Sequence, residues 1–542
     1  MNILVVIPAR GGSKGIPKKN IRLMMGKPLI SYVINVAKSS KFTPDVIVST
    51  DSDEIATISE RYGAIIIKRD ESLSSDLVTL DPVIFHATNK AEALFQKRYT
   101  AVITIQPTSP LLSTNTLDKA IEFFFSQNKD SVISVVNRPH LLWGEENGHI
   151  VPLFKERLNR QELPPLYFET GAFLICNREI MTKKSRLGTN ISVFEMPLSE
   201  AIDIDDKNDW VISESIMQRK RIILRCDGYK ELGLGHVYNC ITLAYSLVEH
   251  DILLLLSQKS DIGIKKVKES NLPFTVIKDD NEIDSIIDEY QPDIWVNDTL
   301  NTSSEYILYL KSKINRVVTI EDEGSGIHSA DAVINALYSD NQLGHNVYAG
   351  WEYVCLRDEF QLEERKAFSN KVNNILVMFG GTDPSNFNKL IYEVLIQISQ
   401  KYSDIHFDFV TGIGYDYEKN GVISLPDKNI IVHSNVQRVT EFMKNADLAI
   451  TSQGRTIFEL AAMGVPAIVV SQNYREVTHN FAKMENGFLN LGLKKDITVE
   501  LVQNTLDWLI NTRSVRKNMY ELMAKYELRK GLQRVKKIIV GE

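Results

Sequence analysis

Short apolar runs alternate with amphipathic stretches along the first 219 residues of the chain. The apolar runs have the length of buried strands, and the amphipathic stretches repeat their apolar residues at helical spacing. In chain order the segments are Ile3–Ile7, Leu29–Ala37, Asp45–Ser49, Ile55–Tyr62, Ala64–Ile67, Ala101–Ile105 and Ser131–Val135. Alternation of this kind predicts a mostly parallel, three-layer α/β sheet.

A second pattern of the same type begins after the basic stretch Met217–Arg221. Ile222–Asp227 runs into a glycine loop and then a helical stretch, and a further start occurs at Ile375–Gly381. The other expected strands lie near residues 252–256, 293–297, 316–320, 331–335, 406–411, 430–433, 448–452 and 467–471.

These two patterns predict a first domain of residues 1–219 and a second domain of residues 221–542. The second domain is expected to contain two Rossmann-like sheets, about 221–370 and 371–542. Two such sheets, joined near residues 363–372, would meet across a cleft.

The composition is ordinary for a globular protein, with 44 % hydrophobic and 24 % charged residues. The formal net charge of -7 argues against a nucleic-acid partner. The four cysteines lie far apart, so the sequence predicts neither a zinc site nor a disulfide framework, and a reducing compartment fits best. No segment approaches the roughly 18 apolar residues of a membrane span, and we expect a cytoplasmic protein.

The first apolar run opens into a glycine-rich loop that carries several cations. Gly11, Gly12 and Gly15 allow backbone N–H groups to approach phosphate oxygens. Compensating positive charge comes from Arg10, Lys14, Lys18 and Lys19. The spacing is not that of a P-loop, which excludes P-loop kinases and ATPases. The loop therefore predicts a nucleoside triphosphate site, with a basic surface turn as the alternative.

Three motifs in the same order resemble those of the acylneuraminate cytidylyltransferases, the CMP-sialic acid synthetase family. The motifs are Arg10–Asn20, Gln106–Leu111 and Ala201–Asp205. For residues 1–219 the resemblance implies a Rossmann-like nucleotidyltransferase fold of GT-A-like type, with CTP and an acidic nine-carbon sugar as substrates. It also implies that Arg10 and Lys19 stabilise charge in catalysis. The implied nucleotide contacts are Lys14, Asn20 and Arg69.

Transfer of CMP from CTP explains why cations and a metal are needed. A sugar hydroxyl attacks the α-phosphorus, pyrophosphate leaves, and negative charge accumulates on the oxygens between them. Asp203 and Asp205 alternate on a predicted strand, Ile202–Ile204, so both carboxylates share one face and can bind Mg²⁺. Alone, an Asp-Ile-Asp segment also suits a solvated strand edge, but the first loop and the order of the motifs favour the metal site.

Residues after the expected strand Val102–Ile105 stand where an α/β sheet presents its ligand-binding loops. The resemblance implies that Gln106 and Ser109 contact the acidic sugar. Leu112 stands where an Arg commonly follows in the family, so one anion anchor is missing and specificity can differ. Further sugar-site candidates, in a region where the family carries an Arg-Gln pair, are Arg160 and Gln161; a surface ion pair explains the Arg equally well.

In the second domain a histidine follows a Gly-x-Gly turn at the start of an expected helix. His236 directly precedes the helical stretch Val237–Val248. The positive end of the helix dipole and burial both favour a neutral imidazole, which can accept a proton from water or a hydroxyl. A histidine at a helix start is also a common cap or packing residue, so its companions decide between the two interpretations.

The companion motifs resemble the UDP-sugar hydrolase of pseudaminic acid synthesis, which has the GT-B fold and is similar to MurG-type glycosyltransferases. These motifs are Phe379–Pro384, Ala446–Thr456 with Glu459, and Gly464–Pro466. The resemblance implies that a loop and helix N-terminus at Ser452–Thr456 receive the UDP pyrophosphate, and that His236 is the catalytic base. The implied UDP-sugar-binding residues are Asp227, Gly381, Asp383, Ser452, Gly454, Arg455, Thr456 and Glu459.

The sequence departs from the hydrolase at three places. Asn239 stands where relatives carry an Arg, and Asn297–Leu300 lacks the Tyr that commonly follows the Asp. The segment Asn473–His479 differs from the usual Asn-Gln ending. The nucleotide pocket is therefore expected to be intact, whereas the sugar pocket is expected to be remodelled for a related but different UDP-sugar.

The two resemblances together imply a bifunctional enzyme of nonulosonic-acid metabolism, of the sialic, legionaminic or pseudaminic type. Two alternatives stay open: a UTP- or GTP-dependent nucleotidyltransferase in the first domain, and a glycosyltransferase or non-catalytic nucleotide-sugar-binding module in the second. Cytidylyltransferases of this family often pair through an arm that corresponds to residues 138–168, which implies a homodimer.

Overall fold

The structure is a computed structural model that describes residues 2–12, 15–75, 77–338, 346–380, 383, 385–412, 415, 429–434, 436 and 438–542. The chain divides into two compact units, Met1–Gln218 and Arg219–Glu542. The boundary predicted from the sequence, between residues 219 and 221, lies beside this division.

The first unit alternates strands and helices along the chain. Its strands are β1 (Ile3–Pro8), β2 (Leu23–Met24), β3 (Lys27–Pro28), β4 (Asp45–Thr50), β5 (Ile65–Lys68), β6 (Ala101–Ile105), β7 (Ser131–Asn137), β8 (Trp143–Glu146), β9 (His149–Pro152), β10 (Tyr167–Asn177) and β11 (Ile191–Glu195). Its helices are α1 (Leu29–Lys38), α2 (Asp53–Arg61), α3 (Leu80–Phe95), α4 (Thr114–Gln127) and α5 (Lys207–Gln218).

The main sheet of this unit runs in the order β11-β7-β10-β6-β1-β4-β5. Its described strands pair in parallel except β10, which is antiparallel to both β6 and β7. The predicted mostly parallel α/β sheet is confirmed. Because β4, β1 and β6 are parallel neighbours, the loops that follow them leave the sheet at one edge.

Alternate residues of the central strand β1 explain why helices cover both faces of this sheet. Ile3, Val5 and Ile7 pack in one core with α1, α2 and α4, whereas Leu4 and Val6 pack in another with α3. All these side chains are buried. A parallel strand buried on both faces needs a continuous apolar run, which is what the sequence has here.

The second unit contains two further sheets. The strands of the first are β12 (Arg221–Cys226), β13 (Asp251–Ser257), β14 (Phe274–Ile277), β15 (Ile294–Asp298), β16 (Arg316–Ile320), β17 (Ala332–Asn335) and β18 (Val347–Ala349). The strands of the second are β19 (Asn374–Met378), β20 (His406–Thr411), β21 (Ile430–Ser434), β22 (Leu448–Ser452), β23 (Ala467–Ser471) and β24 (Phe488–Leu493).

Helices connect these strands. They are α6 (Gly235–Ser246), α7 (Asp261–Glu269), α8 (Ile283–Tyr290), α9 (Ser304–Lys311), α10 (Asp358–Leu362), α11 (Phe387–Lys401), α12 (Thr440–Asn445), α13 (Thr456–Met463), α14 (Tyr474–Thr478), α15 (Val499–Asn511), α16 (Arg513–Met523) and α17 (Gly531–Val540). The sheet orders are β14-β13-β12-β15-β16-β17-β18 and β21-β20-β19-β22-β23-β24, and their strand pairs are parallel. The predicted GT-B arrangement of two Rossmann-like sheets is confirmed.

The last helix, α17, returns to the first sheet of this unit. Leu532 and Val535 join the core of β12, β15 and α6. Arg316, at the start of β16, donates from Nε to the Ile539 carbonyl (3.0 Å) and from Nη2 to the Ile538 carbonyl (2.7 Å). The sequence-based division of this unit at about residue 370 did not predict that α17 packs on the first sheet. A helical pattern shows that a helix has an apolar face but does not show which sheet covers that face.

In the described part of the chain, no helix has both the length and the apolar character that a membrane crossing needs. All four cysteines are free thiols.

Two glycines, one directly before β24 and one within it, provide a test of packing in the second unit. Both have a left-handed backbone, with φ of +90° at Gly487 and +91° at Gly492. A Cβ at Gly487 would lie 2.4 Å from the Met519 carbonyl oxygen on α16, whereas a Cβ at Gly492 would meet no atom within 4 Å. We expect Gly487→Ala to lower the free energy of unfolding by about 2–4 kcal/mol and Gly492→Ala by only about 1 kcal/mol.

The measurement is urea unfolding of the two full-length variants, followed by far-ultraviolet circular dichroism. Equal shifts in the two midpoints would show that the backbone angle alone matters and that the close approach of α16 does not.

Candidate functional site

The glycine-rich loop of the first unit leaves the sheet at the end of β1, between the ends of β4 and β6. The Gly11 N–H donates to Asp51 Oδ1 (2.9 Å), just beyond β4. The buried Asn20 side chain donates to the Arg10 carbonyl (3.0 Å), which ties the two ends of the loop together. Lys18 points elsewhere, since its ammonium pairs with Glu54 on the surface (2.8 Å). Lys14 lies outside the described residues.

A buried guanidinium lies beside this loop. Arg69 follows β5 and donates from Nη2 to the Ser49 carbonyl (2.9 Å). Its Nε is buried without a hydrogen-bond partner among the described residues. Burial lowers the pKa of Arg69; the Asp51 carboxylate opposes this and the nearby Arg10 guanidinium adds to it. Arg10 and Arg69 thus concentrate positive charge beside the loop, which suits this region to an anion.

The segment that contains Asp203 and Asp205 lies against the same loop. Ile204 donates its N–H to the Thr108 carbonyl (2.9 Å), and Lys19 Nζ donates to the Ile204 carbonyl. Lys19 Nζ also lies 3.6 Å from Asp205 Oδ1. A Cβ at Gly15 would come within 2.5 Å of the Asp205 carbonyl oxygen, so only glycine permits this approach.

The strand predicted over Ile202–Ile204 is wrong, because residues 201–205 adopt no regular structure. The Asp205 and Asp206 N–H groups both donate to Asp209 Oδ2, each at 3.0 Å, in a turn that leads into α5. Side-chain acceptors near a helix start compete successfully with strand pairing for backbone donors.

Asp203 and Gln106 nevertheless converge on one point. A Cβ at Gly171 would lie 2.8 Å from Gln106 Nε2 and 2.9 Å from Asp203 Oδ2. Burial raises the pKa of Asp203; the nearby Thr108 hydroxyl opposes the rise and the Asp205 carboxylate adds to it. Asp203 Oδ1 is buried and has no hydrogen-bond partner among the described residues.

This donor set fits a hard divalent cation. Asp203 has a buried oxygen without a hydrogen-bond partner among the described residues, and the Asp205 side chain is 84 % exposed. Both carboxylates offer oxygen ligands of the type that Mg²⁺ prefers. Within the described residues, no cluster of three or more His, Cys, Asp or Glu side chains forms a complete protein cage. A site with two protein carboxylates is typical of Mg²⁺ bound together with substrate phosphates.

Four other residues of the first unit have different placements. Ser109 is fully buried after β6, and its hydroxyl has no partner among the described residues. Arg160 and Gln161 are exposed in a short 3-10 helix, and no described contact joins them to Gln106 or Asp203. Leu112 is buried in the hydrophobic core, so this position packs instead of binding an anion.

In the second unit a cavity of about 410 Å³ lies between the two sheets. A volume of this size is typical of small-molecule sites. Residues from the ends of strands and the starts of helices in both halves line it. The predicted site residues in its lining are His236, Ser452, Gly454, Arg455, Thr456 and Glu459.

His236 is oriented by a buried carboxylate. It is the second residue of α6, and its Nδ1 lies 2.5 Å from Asp298 Oδ1 at the end of β15. Asp298 is completely buried, and its Oδ2 accepts a hydrogen bond from Asn239 Nδ2 (2.6 Å). A carboxylate on Nδ1 fixes the tautomer that carries the proton there, which leaves Nε2, on the opposite edge of the ring, as an acceptor.

Asn239 connects this pair to the other half of the unit. Its Oδ1 accepts a hydrogen bond from Arg455 Nη1 (3.1 Å), and Arg455 Nη2 pairs with Glu321 Oε1 (3.2 Å). Burial raises the pKa of Glu321 to about 7, against the opposing effect of the Arg455 guanidinium. Asn239, one of the positions where the sequence departs from the resemblance, thus receives an Arg from the other half of the unit.

The loop between β22 and α13 forms the opposite wall of the cavity. Ser452 ends the strand and Thr456 begins the helix, so the backbone N–H groups of the first helical turn face the cavity. Glu459, one turn later, pairs with Arg357 (2.9 Å). Burial raises the pKa of Glu459, and Arg357 opposes the rise.

Two predicted binding residues lie outside the cavity lining. Asp227 pairs with Arg225 (3.0 Å) and accepts hydrogen bonds from the Ser257 N–H and hydroxyl. Asp383 accepts hydrogen bonds from the N–H groups of Phe387 and Asn388, at the start of α11. The contacts of both carboxylates therefore hold the fold together. Gly381 lies outside the described residues.

Several cavity residues were missed by sequence reasoning. Glu321 directly follows β16, and Tyr338, Arg357, Arg475 and His479 come from segments without a recognised motif. Burial lowers the pKa of His479 to about 4, and its Nδ1 contacts the Gln453 carbonyl at 2.5 Å. A polar residue straight after a buried parallel strand was the available signal for Glu321.

Comparison with known families assigns both units. The cytidylyltransferase family model matches residues 4–150, and the glycosyltransferase family 28 C-terminal domain model matches residues 375–535. The chain is 34 % identical over 229 residues to the CMP-N,N'-diacetyllegionaminic acid synthase of Legionella pneumophila, covering 40 % of this chain and 97 % of that protein.

A relative with both units is also found. The chain is 24 % identical over 523 residues to the Helicobacter pylori protein named pseudaminic acid cytidylyltransferase and UDP-2,4-diacetamido-2,4,6-trideoxy-beta-L-altropyranose hydrolase, covering 92 % of this chain and 93 % of that protein. With a Methanocaldococcus jannaschii protein it shares 29 % identity over 273 residues, which is 47 % of this chain and only 56 % of that protein's length. Through its first unit the chain belongs to the acylneuraminate cytidylyltransferase family, and residues 375–535 of its GT-B unit match the glycosyltransferase family 28 C-terminal domain.

Proposed function

We propose that the first unit transfers CMP from CTP to the anomeric hydroxyl of a nine-carbon keto-acid sugar and releases pyrophosphate. The observation that carries the proposal is the contact between Lys19 and the segment of Asp203 and Asp205. This contact joins the predicted triphosphate loop to the predicted metal ligands. The Legionella relative, named for the synthesis of a CMP-linked acid of this class, supports the choice of sugar.

In this reaction the sugar oxygen forms a bond to the α-phosphorus, and the bond from that phosphorus to the leaving pyrophosphate breaks. Arg10, Lys19 and Arg69 would neutralise the charge that develops on the phosphate oxygens. Asp203 and Asp205 would hold Mg²⁺, which supplies further positive charge when bound. Gln106, beside Asp203, would orient the acidic sugar through its amide.

Replacement of Lys19 tests this arrangement. We expect Lys19→Met to lower kcat by about 10²–10³-fold, because a preorganised cation at the reacting phosphates is lost. Lys41→Met is the matched control, since Lys41 pairs with Glu122 on the surface. The measurement is pyrophosphate release from CTP with sialic, legionaminic and pseudaminic acids in turn.

Turnover of Lys19→Met at the rate of Lys41→Met would contradict the proposed role of the loop. Pyrophosphate release that is faster with UTP or GTP than with CTP would favour the alternative nucleotidyltransferase.

We propose that the second unit hydrolyses a UDP-linked amino sugar. The observation that carries this proposal is the His236–Asp298 pair at the edge of the cavity. His236 Nε2 would accept a proton from water while the water oxygen attacks the sugar. The sugar–UDP bond would break, and the UDP diphosphate would be held by the N-terminus of α13 and by Arg455.

Glycosyl transfer is the second candidate for this unit. It is favoured by the match to the glycosyltransferase family 28 C-terminal domain. The same histidine would then accept the proton of a sugar hydroxyl in place of water. A non-catalytic nucleotide-sugar-binding module is the remaining alternative.

Substitutions of the His236–Asp298 pair distinguish these possibilities. We expect His236→Gln and Asp298→Asn each to lower UDP release from a UDP-amino-sugar by about 10²–10⁴-fold, because the base or its orienting carboxylate is lost. The control is His250→Gln, since His250 follows the opposite end of α6 and contacts the Lys220 N–H. The assay couples UDP release to a spectrophotometric readout, with and without an added acceptor sugar.

Tight UDP-sugar binding without UDP release by the wild type would support the binding module. Release that requires the acceptor would support the transferase. UDP release that needs no acceptor sugar and persists in both variants would contradict the role of His236 as the base.

A homodimer formed through the first unit is a further part of the proposal. The segment around β8 and β9 exposes large apolar side chains, which are those of Trp143, Ile150, Leu153, Tyr167 and Phe168. Apolar groups exposed together are typical of protein interfaces. We also propose that the protein acts in the cytoplasm, where CTP and UDP-sugars are available.

A further inference from the structure

Glu321 is a buried carboxylate whose charge depends on one residue of the facing sheet. It is 1 % exposed, and Arg455 is the cation that pairs with it in the described part of the chain. Its other oxygen accepts a hydrogen bond from the Leu337 N–H (3.3 Å). A buried carboxylate that loses its cation is strongly destabilised in the charged form and becomes protonated.

Arg455 has a second role available to it. It immediately precedes α13, and it lines the cavity beside Ser452, Gly454 and Thr456. A diphosphate at this helix N-terminus would lie within reach of the same guanidinium. Arg forms strong bidentate pairs with phosphate, so the ligand competes directly with Glu321 for Arg455.

The other groups around Glu321 do not replace Arg455. Electrostatic interactions join Glu321 to four other titratable groups, which are His236 on α6, Asp298 on β15, Tyr338 after β17 and Cys355 before α10. Asp298 favours protonation of Glu321, and His236 opposes it. The Arg475 guanidinium is engaged with the Glu321 backbone carbonyl (2.6 Å).

We propose that Glu321 is a positioning residue that holds Arg455 in the nucleotide-free protein, yields it to the diphosphate of a bound uridine nucleotide, and takes up a proton from solvent when it does so. This inference rests on the proposed UDP-sugar site. The same movement of Arg455 frees Asn239 Oδ1, so nucleotide binding and the Asn239–Asp298–His236 chain are linked through one guanidinium.

The direction of the pH effect follows from the charges. In the nucleotide-free protein burial raises the pKa of Glu321 to about 7 even though Arg455 lowers it. Loss of Arg455 to the ligand raises this pKa further, so the complex holds more protons than the free protein above pH 7. Nucleotide binding is therefore expected to weaken as the pH rises from about 7.5 to 9, by up to about tenfold per pH unit.

Calorimetric titration of the full-length protein with UDP tests the proposal. Titrations at pH 7.5 in buffers with different heats of ionisation give the number of protons taken up. The terminal phosphate of UDP, which titrates near pH 6, contributes equally to every variant. We expect wild type and Glu323→Gln, a control at an exposed neighbouring carboxylate, to take up the same fraction of a proton. Glu321→Gln is expected to lose that uptake.

Equal proton uptake by wild type and Glu321→Gln would overturn the inference and leave the proposed nucleotide site standing. If Glu321→Gln does not fold, as judged by its thermal melt, the wild type decides alone: affinity for UDP that stays constant between pH 7.5 and 9 overturns the inference. A wild type that does not bind UDP at any pH contradicts the proposed function itself, and the inference with it.

Discussion

Parallel strand pairing brings the ends of neighbouring strands to one edge of a sheet, and both candidate sites depend on this constraint. In the first unit the loops after β1, β4 and β6 meet at this edge. There the Gly11 N–H donates to Asp51 and the Ile204 N–H donates to the Thr108 carbonyl. In the second unit Asp298 ends β15 and Glu321 follows β16. Residues far apart in sequence become neighbours because backbone hydrogen bonds fix where each strand ends.

The buried polar groups differ in how completely they are hydrogen-bonded. Asp227 and Asp383 are buried, and local donors engage both oxygens of each carboxylate, so these contacts stabilise the fold. Asp203 and Arg69 are similarly buried but keep an atom without a partner among the described residues. An unpaired buried polar atom costs free energy, and these two atoms are consistent with the proposal that a ligand completes the site.

The two proposed reactions act on different bonds of a sugar–nucleotide linkage, since the first joins the sugar oxygen to phosphorus and the second separates the sugar carbon from the diphosphate oxygen. One forms a sugar–nucleotide linkage at the expense of CTP, and the other breaks such a linkage with water. Both need positive charge at phosphates, which we propose comes from the glycine-rich loop in the first unit and from a helix N-terminus with Arg455 in the second. Placing both units in one chain fixes their ratio at one to one, and no transfer of an intermediate between them is required by the chemistry.

Local sequence determined most strands of the three main sheets and the boundary near residue 219, and it predicted the two nucleotide loops, because apolar periodicity and glycine positions act over a few residues. It also identified His236 and Asp203 as residues suited to chemistry. Tertiary structure decided which partners they have. Three contacts join segments that are dozens to hundreds of residues apart. They are the Asp298–His236 hydrogen bond, the Glu321–Arg455 ion pair and the packing of α17 on the first sheet of the second unit. The irregular path through Asp203 was decided by one distant and one local contact, since the Thr108 carbonyl accepts from the Ile204 N–H and Asp209 accepts from the Asp205 N–H. Such pairings carry no periodic signal, because they arise only when separate elements pack.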